Sequence, residues 1–492
     1  MQPISTAVDQ PVAARAEPAS AARGALAGLA LSMLLSSLGT SIANVALPTL
    51  AHAFAASFQA VQWIVLAYLL AVTSLIVGAG RLGDVIGRRR LLRAGLSVFT
   101  LASVMCAAAP TLSSLIAARA VQGIGAASMM ALAMALVGAS IPKEKTGRAM
   151  GLLGTMSAVG TALGPSLGGV LIAAFGWRAI FLVNLPLGLL TLLLVHRFLP
   201  ADPRGSETAR AGFDRPGTLA LAATLAAYAL AMTTGRGQFG ALNVALLLAA
   251  LCGAGLFLRV EARAASPLLR LAMLRDRTLR AGLAMSLLVA SVIMATFVVG
   301  PFYLARALAL APAQVGSVMS IGPLVAALTG VPAGHVVERL GAARMTVAGL
   351  AAMAAGAASL ALLPVAFGVA GYVAAIVVIT LGYALFQAAN NTAVMADVEA
   401  EERGVTSGML NLSRNLGLIT GASALGAVFA HASGATDVAL APPAAVAAGM
   451  RVTFAAAALL IGIALMAAAA SRARSARAAQ PSPAAGTISP NT

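Results

Sequence analysis

Apolar residues fall in long blocks along this chain, separated by short polar gaps. About fourteen blocks reach the ~20 residues that a helix needs to cross a bilayer core. They lie near residues 26–47, 61–80, 92–109, 113–138, 149–174, 179–199, 216–234, 241–259, 281–305, 315–334, 345–365, 368–394, 405–430 and 449–470. The blocks are rich in Ala and Leu and do not alternate, so the pattern predicts helices rather than strands. The expected fold is an all-α integral membrane protein. Ala51-His52-Ala53 resembles a signal-peptide cleavage site. The block before it is too long for a signal peptide's apolar region of about 7–15 residues, so it reads as a retained helix.

An even number of spans puts both chain ends on one side, and the basic residues say which. Of 32 Lys and Arg, 26 lie in the tails or in the loops on their side. Four (Arg178, Arg236, Arg306 and Arg451) lie opposite, and two (Arg119 and Arg414) lie within helices. Positive charge stays in the cytoplasm, so both termini are expected there. The placement also explains the net charge of +17 without nucleic acid. Composition agrees: 60% of residues are hydrophobic and 10% charged, against about 25% charged in soluble proteins. Cys106 and Cys252 lie inside apolar blocks, and His52, His196, His335 and His431 stand singly near helix ends. No metal or cofactor is expected from either set. The partners implied are membrane lipid and a small-molecule substrate; the sequence is compatible with a monomer and does not fix the oligomeric state.

The chain repeats itself. Gly80, Asp84, Gly87 and Arg90 after the second block match Gly334, Glu338, Gly341 and Arg344 after the tenth, at a shift of 254. Gly147, Gly151, Gly160, Gly164 and Gly169 match Gly404, Gly408, Gly417, Gly421 and Gly426 at a shift of 257. Six helices occupy about 175 residues, so the excess of about 80 holds two more. The layout reads six, two inserted, six. The expected divisions are a disordered tail at 1–25, a six-helix bundle at 26–200, two inserted helices with their loops at 201–280, a second bundle at 281–470, and a disordered tail at 471–492. Parallel repeats place a pseudo-two-fold axis along the membrane normal, with a site between the halves near the midplane.

The stretch GRLGDVIGRRRLL, Gly80 to Leu92, concentrates charge between two apolar blocks. Topology explains its arginines but not its glycines or Asp84. Asp84 and Arg88 stand four apart, a spacing that pairs them on a short helix, and an acid near a helix start meets the positive dipole end. Gly80 and Gly87 suit a close helix approach or a sharp turn. With Arg89 and Arg90 they read as a charged latch at the cytoplasmic mouth. Its counterpart, with Glu338 and Arg344, reads as weaker, because Ala342 stands where Arg88 would be.

The stretch resembles the signature loop G-x-L-x-D-x-x-G-R-[RK] of the major facilitator superfamily. LIAARAVQGIGAA (from Leu115), GTALGPSLGG (from Gly160) and LGTSIANVALP (from Leu38) resemble blocks of its fourteen-span drug:proton antiporter branch, a group of multidrug exporters. FQAANN and GVTSGMLNLSRNLG are similar to that branch as well. The resemblance implies the major-facilitator fold, with two pseudo-symmetric bundles, and efflux of drugs or other amphipathic compounds by alternating access, driven by protons. It also implies that Gly160, Gly164, Pro165, Gly168 and Gly169 form a bend in helix 5 that closes a leak path. Ordinary glycine packing is the other reading of that block.

Several polar residues lie within the blocks. Arg119 sits about 10 Å along its helix at 1.5 Å per residue; it either faces the cavity or a partner, or snorkels outward. Gln122 is nearly one turn further on. Asn44, Gln387, Asn390, Asn391, Asn411 and Arg414, with Asn415 beside it, either line the cavity or bond between helices.

One departure stands out. The relatives' helix 1 block usually reads L-D-x-T-I-V-N-V-A-L-P, with an aspartate thought to carry the proton and pair with the helix 4 arginine. Here that position is Gly39. None of the fifteen acids lies mid-membrane; on position alone Asp397 is the nearest substitute. Proton coupling and a taste for cations are therefore in question, and an uncompensated Arg119 suits an anionic or neutral substrate. The alternatives to proton-driven export are uptake or facilitated movement of a metabolite, and a membrane sensor on a transporter frame. An enzyme is not expected, since the helices hold no nucleophile–base set, metal cluster or phosphate loop.

Overall fold

The computed structural model describes residues 19–140, 143–202, 215–234, 240–263, 273, 275–396, 398, 403–434, 438 and 441–478. Among these, fourteen helices are long and apolar enough to cross a membrane. In order they are α1 Ala22–Ala53, α2 Phe58–Ile76, α3 Arg88–Ala108, α4 Leu112–Val137, α5 Ala149–Phe175, α6 Ala179–Phe198, α7 Pro216–Thr233, α8 Ala241–Arg263, α9 Arg277–Ala307, α10 Pro312–Leu340, α11 Ala342–Leu362, α12 Val365–Met395, α13 Thr406–Ala432 and α14 Pro443–Ala470. Among the described residues the first helix spans Ala19–Ala53 and the last Pro443–Ala478 in full. Residues 19–25 and 471–478, expected in disordered tails, are thus helical, as their alanine content favours. The rest of both expected tails lies outside the described residues.

Packing repeats with the sequence. In the first half α1 packs on α5 and α6, α2 on α4, and α3 on α4 and α6. In the second half α9 packs on α13 and α14, α10 on α12, and α11 on α12 and α14. The architecture is therefore six helices, two inserted, and six. α7 lies against α2 and reaches α13, and α8 packs on α7.

Small residues set the helix spacing inside each half. A Cβ on Gly160 would strike the Leu34 carbonyl of α1, and one on Gly417 the Leu287 carbonyl of α9. Gly95 and Gly125 let α3 and α4 touch backbone to backbone, as Gly349 and Gly382 do for α11 and α12. These four recur at the same two shifts, 254 and 257. Such contacts matter because, without a hydrophobic drive between helices in lipid, association rests on close packing.

Candidate functional site

Among the described residues the halves meet tightly at the end away from the chain termini. There α5 crosses α10: a Cβ on Gly169 would lie 2.7 Å from the Pro312 oxygen and 2.9 Å from the Gly316 Cα. Pro165 sits within continuous helix, and its carbonyl faces Gly316. Gly164 and Gly168 face Ser41, Ile42 and Val45 of α1. The predicted helix 5 block thus serves two neighbours, one in each half. On the other flank Phe58 of α2 packs edge-on against Phe302 of α9 and Phe429 of α13, with centroids 4.8 and 5.2 Å apart. Gln62 donates to the Ala422 carbonyl at 2.8 Å, inside a π-helical turn at Gly421–Leu425.

The termini end is unpacked. Gly80, Gly154, Gly334 and Gly408 have open space where a Cβ would stand. Gly80, which lines the space between the halves, therefore makes no close helix approach in this conformation. Between the halves lies a cavity of about 760 Å³. Its lining includes Thr40, Asn44, Ser157, Asn411, Arg414 and Asn415, together with aromatic residues and five methionines.

The predicted site residues divide clearly. Asn44, Asn411 and Arg414 line the cavity. Asn390 is buried and donates to the Gly282 carbonyl and Ser286 Oγ, joining α12 to α9. Asn391 is exposed, and Gln387 is half-buried away from the cavity lining.

Arg119 is fully buried within the first half and does not line the cavity. Its Nε donates to the Ile64 carbonyl at 3.0 Å. One terminal nitrogen donates to the Gly39 carbonyl at 3.0 Å and to Gln122 Oε1 at 2.6 Å. The guanidinium carbon lies 4.3 Å from the Tyr68 ring centroid. Gln122 is held in turn by Ser103 at 2.7 Å. So the residue occupying the relatives' acid position does meet the arginine, through its backbone oxygen. A Cβ on Gly39 would lie 3.0 Å from the Phe99 ring, so aromatic carbon fills the space an aspartate would need. The second terminal nitrogen of Arg119 is buried without a hydrogen-bond partner among the described residues, but Arg119 stands off the cavity lining, which corrects the link between this residue and an anionic substrate held in the cavity.

The loop after α2 also differs from expectation. Helical backbone ends at Ile86, Gly87 turns with φ +103°, and a new helix starts at Arg88. Asp84 and Arg88 therefore stand on different helices, and Asp84 lies in a last turn rather than at a helix start. The Asp84 side chain lies outside the described residues, as does Asp397. The acid at the start of α3 is Asp202, which no motif in the sequence marks. It accepts from the backbone nitrogens of Arg89 at 2.9 Å and Arg90 at 3.1 Å, where exposed helix donors favour an anion. The Arg89 side chain donates to the His196 carbonyl, and that of Arg88 to the Ala135 carbonyl at 3.4 Å. Gly341 repeats the turn with φ +88°, while Glu338 and Arg344 are exposed. Among the described residues no His, Cys, Asp and Glu group could hold a metal.

Comparison with known proteins places this geometry. Residues 29–422 match the Major Facilitator Superfamily profile. The chain is 30% identical over 403 residues to the riboflavin transporter RibZ of Clostridioides difficile, covering 82% of this chain and 87% of that one. It is 33% identical over 414 residues to the multidrug resistance protein Stp of Mycobacterium tuberculosis, covering 82% and 74%. In fold it resembles a bacterial homologue of the human lysosomal transporter Spinster, solved inward-facing and unoccupied. That match has a TM-score of 0.70 and 17% identity over 95% of this chain and 100% of the other.

Proposed function

Because this chain belongs to the Major Facilitator Superfamily, we propose that it is an efflux transporter that moves small amphipathic compounds by alternating access. It is a multi-pass membrane protein and not an enzyme, and its substrate is a small molecule. The observation that carries the reading is the cavity between two matched halves, sealed at the α5–α10 crossing and open at the termini end. The uneven distribution of basic residues supports a bacterial inner membrane placement with both termini in the cytoplasm, so the present state loads from the cytoplasm. The multidrug resistance relative supports export. The stretch Gly80 to Leu92 and its counterpart at Glu338 and Arg344 act as latches when the halves tilt back over the mouth.

Proton drive, which the family resemblance implies, has no carboxylate to act through at Gly39. The test is efflux of a chemically diverse panel from cells with and without the protein, each with the proton gradient intact and collapsed. Equal accumulation with and without the protein ends the efflux reading. Export that survives collapse ends the proton-driven version alone. Uptake or facilitated movement of a metabolite is the second reading, favoured by the riboflavin transporter relative and by the absent acid. Transport into vesicles of each orientation separates the two.

A further inference from the structure

The inner walls of the cavity come from equivalent stretches of α5 and α13, and the repeat allows them to be compared position by position. At the shift of 257, Gly154, Ser157 and Ala158 correspond to Asn411, Arg414 and Asn415. All six line the cavity. One wall is small and neutral; the other carries a guanidinium flanked by two amides, one turn before it and one residue after. Arg414 is the only charged residue among the described lining residues. Its guanidinium has no hydrogen-bond or ion-pair partner among the described residues. That sets it apart from Arg119, which is buried off the cavity and bonded through two of its three nitrogens. The opposite side offers Met33, Met130 and Met134, flexible thioethers that mould to varied apolar bodies.

We propose that the cavity selects amphipathic organic anions, seating the anionic head on Arg414 between Asn411 and Asn415, with the apolar body on the methionines of the first half. A guanidinium facing a partly apolar cavity gains most from a carboxylate or sulfonate, which takes two of its donors at once. A cation there would meet like charge, with no acid among the described lining residues to relieve it. The inference rests on the transporter reading and names its substrate class.

The test uses three probes sharing one naphthyl body: 2-naphthylacetate, 2-naphthylacetamide and 2-naphthylmethyl-trimethylammonium. Their binding to the full chain in lipid nanodiscs is measured by equilibrium dialysis. The acetate should bind tighter than the ammonium by about ten- to a hundred-fold, the range for one charge-assisted hydrogen bond. Arg414→Gln should erase that gap and leave the acetamide's affinity little changed. Asn411→Asp, which sets a carboxylate one turn away to pair with the guanidinium, should likewise shrink the gap. Ammonium binding as tight as acetate in the unaltered protein overturns the proposal. So does a preference that survives Arg414→Gln, or no saturable binding of any probe at millimolar concentration. Flux of the acetamide into proteoliposomes reads the underlying function separately. Flux without charge preference sinks the anion inference alone, and charge-selective binding without flux sinks the transporter reading alone.

Discussion

If the α5–α10 crossing is what keeps the far end shut, one added methyl group should pry it open. Gly316→Ala places a carbon 2.8 Å from the Gly169 Cα, with the Pro165 carbonyl closer still. Both are backbone, so neither can swing aside as a side chain would. Forcing one extra carbon into packed structure costs about 1–3 kcal/mol, a factor of about 5 to 150 in an equilibrium. The strain falls only on the state in which the helices touch. A far-side-open state held at about 1% would then rise to between about 5% and 60%. The assay is labelling of a single cysteine, Gly154→Cys, in a chain lacking Cys106 and Cys252. Gly154 lines the cavity and has room for a side chain. Before the change, an impermeant maleimide should label mainly from the termini side; after it, labelling from the far side should rise several-fold. Unchanged sidedness with a lowered melting temperature would refute the reasoning, because both states would then bear the strain.

Other substitutions probe the remaining contacts. Arg119→Leu should cost about 2–4 kcal/mol, since it removes three hydrogen bonds made by a buried guanidinium and leaves the Gln122 oxygen without its strongest donor; a denaturation midpoint equal to the parent's would contradict this. Gly39→Asp alone should destabilise the protein, because the new side chain meets the Phe99 ring. Combined with Phe99→Leu it should pair with Arg119 and make export fall when the proton gradient is collapsed; gradient-independent export in a well-folded double variant counts against the site as a lost coupling centre. Asp202→Ala should weaken the start of α3 by about 1–2 kcal/mol, speeding amide exchange at Arg89 and Arg90 by about 5- to 30-fold. Exchange at the parent's rate would mean that Asp202 does not hold the loop.

The span count and the paired halves were legible because lipid forces long apolar helices and because close approach requires small residues at fixed places. The turn at Gly87 and Gly341 was legible for a related reason: both adopt positive φ, which few residues other than glycine accept. Arg414, Asn411 and Asn44 could be nominated from polarity within an apolar block. What separates Asn390 from Asn391 is helix rotation, which one polar pair does not reveal. The surroundings of Arg119 were hidden because two of its acceptors are main-chain carbonyls, which every residue carries. Asp202 was hidden by distance, 113 residues from the Arg89 nitrogen it caps. Asp84 looked like a helix-start acid only while the chain was assumed to run on through Gly87.

The inserted pair has a consequence of its own. A two-part rocker has two seams, and α7 lies across one of them, on α2 and α13, with Thr233 bonded to the Trp63 indole at 3.0 Å. A compound drifting sideways out of the lipid meets a third helix along that seam, whereas among the described residues no inserted helix packs on the seam where α5 faces α10. The two approaches to the interior are unequal, even though the halves that form them are copies.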